Sequence, residues 1–67
     1  MIELYHADAE DSTLLAKLPA MPRLEQVVEL NGAGPCVIAF VDLVRNQLVA
    51  EDAGGQPLAL RAIEVTE

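Results

Sequence analysis

The run Cys36-Val-Ile-Ala-Phe-Val-Asp-Leu-Val44 constrains this chain more than any other stretch. It is β-branched, apolar at every position but Asp42, and bounded by Gly34-Pro35 before it and Arg45-Asn46 after it. A strand of that composition is expected to run through the centre of a sheet and to be covered on both sides. Left bare, it would be an aggregation hazard. Ile38 and Phe40 are therefore both expected in the core, and Phe40→Ala is expected to cost about 3–5 kcal/mol.

The segments around this run are short and separated by turn signals. Ile2-Glu-Leu-Tyr-His-Ala-Asp8 alternates apolar and polar residues in its first half, as a half-buried strand does. An acidic knot, Asp8-Ala-Glu-Asp-Ser12, leads to Thr13-Leu-Leu-Ala-Lys-Leu18. The latter reads in two ways. As a strand it places Leu14, Ala16 and Leu18 on one face and forms a hairpin with residues 2–7. As a helix it takes Asp11 or Ser12 as N-cap, but one and a half turns do not stand alone. The strand is preferred.

Pro19 and Pro22 end whatever precedes them. Leu24-Glu-Gln-Val-Val-Glu-Leu30 reads as a strand with Leu24, Val28 and Leu30 on one face. Asn31-Gly32 and then Ala33-Gly34-Pro35 mark a turn, Arg45-Asn46 another and Gly54-Gly55 a third. Between and after them lie Gln47–Asp52 and Pro57–Val65 as further strands. The count is five or six strands with a turn signal every eight to twelve residues. That spacing predicts one all-β domain over residues 1–67, a small, strongly bent antiparallel barrel of the SH3-like or Sm-like kind, because closure removes exposed edges. The competing architecture is an open antiparallel sheet crossed by one short helix.

Size makes such a domain marginal. A chain of 67 residues buries only about 60% of its unfolded surface and needs a dense core, a staple or a partner subunit. Cys36 is the sole cysteine, so no intramolecular disulfide exists, and one Cys with one His is a poor start for a zinc site. With 52% apolar residues and only Tyr5 and Phe40 as aromatics, the core must be aliphatic. Homo-oligomerisation is one way to make up the deficit.

Charge narrows the function classes. Lys17, Arg23, Arg45 and Arg61 face eleven acidic residues, for a net charge of −7. Nucleic-acid binding draws most of its affinity from phosphate neutralisation, and single-strand binders rely on exposed aromatics, of which Tyr5 is the one candidate. Nucleic acid is therefore not expected as a partner. A basic protein is. No window of about 18 apolar residues spans a membrane. The opening residues lack a signal-peptide pattern, and with the free thiol they point to the cytoplasm.

No catalytic, cofactor-binding or metal-binding set is expected. His6 and Cys36 as a catalytic pair compete with a simpler reading, a His at a strand edge and a Cys filling a small apolar space. Asp8, Glu10 and Asp11 lack the mid-loop glycine and closing glutamate of a calcium loop. Gly32-Ala-Gly34-Pro35 precedes a strand, where a phosphate cradle needs a helix. The remaining site candidates are acidic turn tips that would attract a basic protein surface: Asp8, Glu10 and Asp11 at one, Glu51 and Asp52 at another.

The stretch from Val28 to Val65 resembles the Sm-like barrel of the Rof family, small acidic bacterial inhibitors of the transcription terminator Rho. The matching features are Val28-Glu29-Leu30 leading into a glycine turn, Asp42-Leu-Val-Arg-Asn46 at a strand end, Leu48-Val49, Ala53-Gly54, and Leu60 with Ile63. Met21-Pro22-Arg23 before a Val-x-Leu strand is also similar to short uncharacterised proteins of phages and mobile elements. These resemblances imply a small barrel that acts by binding a protein. The N-terminal hairpin expected here departs from the helical start of Rof. The expected function is thus a non-catalytic protein-binding module, a phage or mobile-element regulator or inhibitor acting through an acidic surface. The alternative is a structural or assembly subunit that pairs with its own copies through a hydrophobic edge.

Overall fold

The computed structural model describes residues 1–8 and 13–66. The six strands are β1 (Ile2–His6), β2 (Ala16–Leu18), β3 (Val27–Leu30), β4 (Gly34–Asp42), β5 (Gln47–Glu51) and β6 (Pro57–Glu64). They form one antiparallel sheet in the order β2-β1-β6-β5-β4-β3. The sheet curls into a nearly closed barrel, and no helix occurs among the described residues. Residues 13–18 therefore contribute a strand, and β1 and β2 form the expected hairpin. No helix of the described residues is long and apolar enough to cross a membrane.

Local chemistry explains the corners. Asp42 Oδ1 accepts from the N–H groups of Val44 (3.1 Å) and Arg45 (3.2 Å), and Asn46 takes a left-handed conformation (φ 54°) that asparagine tolerates. At the next corner Asp52 Oδ1 accepts from Gly54 and Gln56, each at 2.9 Å. Gly55 sits at φ 79°, where a side chain would be strained.

The core is aliphatic. Leu4, Leu30, Ile38, Leu48, Leu60 and Cys36 are the largest fully buried side chains. They meet in rows across the sheet: Ile38 beside Ala50, Leu48 beside Leu60, Val28 beside Cys36. In the first hairpin Leu15 rather than Leu14 enters the core. Leu15 N–H bonds the Leu4 carbonyl (2.9 Å) although Leu4 already pairs with Ala16, so the alternation slips by one residue there.

One expected core position, Phe40, and one expected strand face, that of Leu24 with Val28 and Leu30, are corrected. Phe40 is 55% exposed, whereas Ile38 is fully buried. The cause is a β-bulge: Ile38 pairs with Ala50, but Phe40 pairs with Val49, the very next residue on β5. Ala39 is the extra residue. Before it the even positions Cys36 and Ile38 point inward; after it Val41 does, opposite buried Leu48. A bulge shifts the alternation by one and turns Phe40 out. The both-sided cover expected for this strand is thus absent. Leu24 is also outside, at 60% exposure, because β3 begins only at Val27. Glu25 before it adopts φ 68° and breaks the alternation that would have aligned Leu24 with Val28.

Candidate interaction surface

The outward-facing side chains of the six strands fall into two regions of different character. Over β2, β1 and β6 the charged and phenolic side chains pair with one another, with Ile63 as an exposed apolar neighbour of Glu3. Lys17 Nζ lies 3.8 Å from Glu3 Oε2, and Tyr5 OH donates to Glu3 Oε1 at 2.6 Å. The Arg61 guanidinium lies over the Tyr5 ring, 5.0 Å from its centroid, and Arg61 Nε donates to the His6 carbonyl (3.2 Å). The cross-strand pairs Glu3–Lys17 and Tyr5–Arg61 put these groups side by side. The hydrogen bond to Glu3 is the main reason the Tyr5 phenol is held above its usual pKa of 10.0; desolvation adds to it and Arg61 opposes it.

Over β3, β4 and β5 several outward side chains are apolar and meet solvent, interspersed with Glu29, Gln47 and Glu51. Val27 pairs with Val37, and Phe40 with half-buried Val49. Exposures of 63% for Val27 and 41% for Val37, beside those of Leu24 and Phe40, make a contiguous apolar group on a very small body. Leu43 and Val44 extend apolar surface to the β4–β5 tip. Leu24, Glu25, Val37, Ala39 and Glu51 border a shallow depression of about 570 Å³. Exposed clusters of this kind, edged by polar groups, characterise interaction sites. Glu25 supplies part of that edge from a left-handed backbone pinned by its N–H to the Ile38 carbonyl (2.7 Å). Such strain in a residue with a side chain is concentrated at functional surfaces.

The sequence-derived acidic candidates fall in different settings. Asp8 is exposed just beyond β1. Ala7 N–H bonds the Ala59 carbonyl near the start of β6, so Asp8 lies at the barrel end that also carries the Glu51–Gln56 turn. Glu10 and Asp11 lie outside the described residues. Glu51 is exposed on β5, cross-strand from Val37, and thus belongs to the apolar face as its acidic margin. Asp52 is committed to its turn by the bonds described above.

Cys36 is buried, and its Sγ donates weakly to the Gly34 carbonyl at 3.5 Å. Burial, assisted by the charge of Asp52, pushes its thiol pKa above the usual 9.0, which leaves it protonated at neutral pH. Among the described residues no three His, Cys, Asp or Glu side chains gather as metal ligands would.

Reading residue types alone missed the apolar face, although one signal for it was present. A run apolar on both faces needs two covering layers, and the six strands form one curled sheet that supplies the inner one. Comparisons with protein-family models, curated proteins and solved structures gave no match.

Proposed function

We propose that this chain is a non-catalytic protein-binding module whose contact surface is the outer face of β3, β4 and β5. The observation that carries the reading is the set of apolar side chains Leu24, Val27, Val37 and Phe40, exposed together with Glu25 and Glu51 at their margin. Apolar groups of this kind supply the desolvated centre of an interface, and the charged margin steers the encounter. With a net charge of −7, the chain favours a partner of basic character. A small acidic barrel is also what the resemblance to the Rof family implies, and a regulator or inhibitor acting in the cytoplasm is consistent with the free thiol of Cys36.

The second reading, a subunit that self-associates, draws on the same exposed apolar face. Self-association would bring Glu25 and Glu51 of two copies together, and this disfavours it. Sizing of the purified chain by light scattering separates the two: a monomer is expected from low to high micromolar concentration. Affinity capture from the native host, with the parent and Val37→Ser/Phe40→Ser as parallel baits, tests the surface. The double variant is expected to lose the captured protein while keeping its fold. Retention of the same protein by both baits would overturn the proposal.

A further inference from the structure

The barrel sheet fails to pair with itself at one place, the seam between β2 and β3. Among the described residues two hydrogen bonds bridge it, both from Asn31: its N–H to the Leu15 carbonyl (2.9 Å) and its Nδ2 to the Leu14 carbonyl (3.2 Å). Beyond that corner the walls border a groove of about 860 Å³.

Strand alternation fixes which backbone groups face this opening. Asn31 N–H points across the seam, so Glu29 and Val27, two and four residues earlier, direct N–H and C=O the same way. Their neighbours face β4, in phase with the bond from Ile38 N–H to the Gln26 carbonyl. On the other wall, β1 turns its odd residues to β6, as the bonds Val65 N–H to Met1 and Ala7 N–H to Ala59 show. Its even residues Ile2 and Leu4 therefore meet Leu18 and Ala16 of β2. Lys17, between those two, turns its N–H and C=O into the seam. Three residues on two facing strands thus offer backbone donors and acceptors with the spacing of a β-ladder.

We propose that this seam receives one extended strand segment of a basic partner protein, which pairs with β3 and lies between β2 and β3. A second copy of this chain does not fit, because its own β3 is walled by its own β2 through Asn31, and insertion would require both barrels to open. A free linear segment has no such wall. Its inward residues would meet the half-buried Ala16 and Leu18 at the groove's edge, which calls for apolar side chains at alternate positions. Its outward residues would lie between Lys17 and Glu29. Lys17 already has Glu3, whereas exposed Glu29 has only Pro35 opposite it and no salt bridge among the described residues. A Lys or Arg of the incoming segment pairs there.

This site is distinct from the apolar outer face, and the test separates them. A phage library of random twelve-residue peptides is selected on the full chain, and an enriched peptide is synthesised and titrated with amide NMR detection. Enriched sequences are expected to alternate apolar residues with others that include Lys or Arg, and the largest shifts are expected at Lys17, Val27 and Glu29. Glu29→Pro removes a donor that faces the seam and no bond to β4, a position where an edge strand tolerates proline. It should weaken binding at least about tenfold, and Glu29→Lys should do so while retaining every backbone donor. Arg45→Ala, at the exposed β4–β5 turn, should leave the affinity unchanged. Absence of any enriched binder would overturn the proposal. So would binding that maps to Phe40 and Val49 and survives Glu29→Lys. If Glu29→Pro fails to fold, Glu29→Lys decides alone.

Discussion

The two halves of the barrel's outer surface are built on the same sheet and carry opposite solutions to exposure. Over β2, β1 and β6, a lysine, a glutamate, a tyrosine and an arginine form one linked set. Over β3, β4 and β5, Val27, Val37 and Phe40 face water, and the margin glutamates Glu25 and Glu51 have no salt bridge among the described residues. The first half pairs its polar side chains internally and exposes a single large strand hydrophobic, Ile63. The second leaves apolar side chains in water, and the proposed binding role rests on that exposure. The lesson is that apolar content alone does not locate a core: Ile38 and Phe40 are two residues apart on one strand, and a single inserted residue sends them to opposite sides.

That contrast can be broken most forcefully at β4. Ile38→Ala should destabilise the domain by about 2–5 kcal/mol, since it opens a cavity in a fully buried row. Phe40→Ala should cost roughly 1 kcal/mol or less, because the ring already meets solvent. Urea unfolding of the two variants measures the difference. Similar losses would mean that the two side chains share a face.

The polar half predicts a smaller effect. Glu3→Ala removes the partner of both Lys17 and Tyr5 and should cost about 0.5–1 kcal/mol, less at high salt, where the screened ion-pair part fades. Thermal unfolding at two ionic strengths reads it. A loss independent of salt would assign the effect to packing.

Alkaline pH tests the polar half through Tyr5 and the core through Cys36, by the sign of the response. The folded state holds the Tyr5 and Cys36 protons more tightly than the unfolded chain does, since both pKa values are raised. The stability this contributes is complete below the unfolded values of about 9 for the thiol and 10 for the phenol, and is lost as pH rises through the folded ones. Tyr5→Phe and Cys36→Ala should each flatten the fall in unfolding midpoint above pH 9, and an unchanged slope would contradict the environments described. The smallest effect is expected from Glu25→Gly. It relieves a left-handed backbone while loosening the unfolded chain, so the stability should change by less than about 1 kcal/mol.

Most of the architecture was legible because turn chemistry is local. Asn31-Gly32, Arg45-Asn46 and Gly54-Gly55 mark the corners of β3 to β6, and the alternation Ile2-Glu-Leu marks β1. The outward turn of Phe40 was not legible. A bulge at Ile38-Ala39-Phe40 contains no glycine, and its place is set by pairing with β5, which residue types do not display. Leu24 was misplaced for a related reason, since nothing in Leu-Glu-Gln announces a positive φ at a glutamate. Of the acidic candidates, Asp52 had a local signature for its turn role, an Asp followed by Ala-Gly-Gly. Glu51 became part of the candidate surface only once the register set it beside Val37.

The most direct measurement of the central claim is made on one variant, Phe40→Ser, with two readouts: its unfolding midpoint, and its affinity for the protein that the parent captures from the native host. The account predicts a midpoint within a few degrees of the parent, equivalent to less than about 1 kcal/mol for a domain of this size, together with binding weakened at least about tenfold, as expected for an apolar anchor at an interface. Binding equal to that of the parent would contradict it, and so would a collapse of the fold, which would return Phe40 to the core.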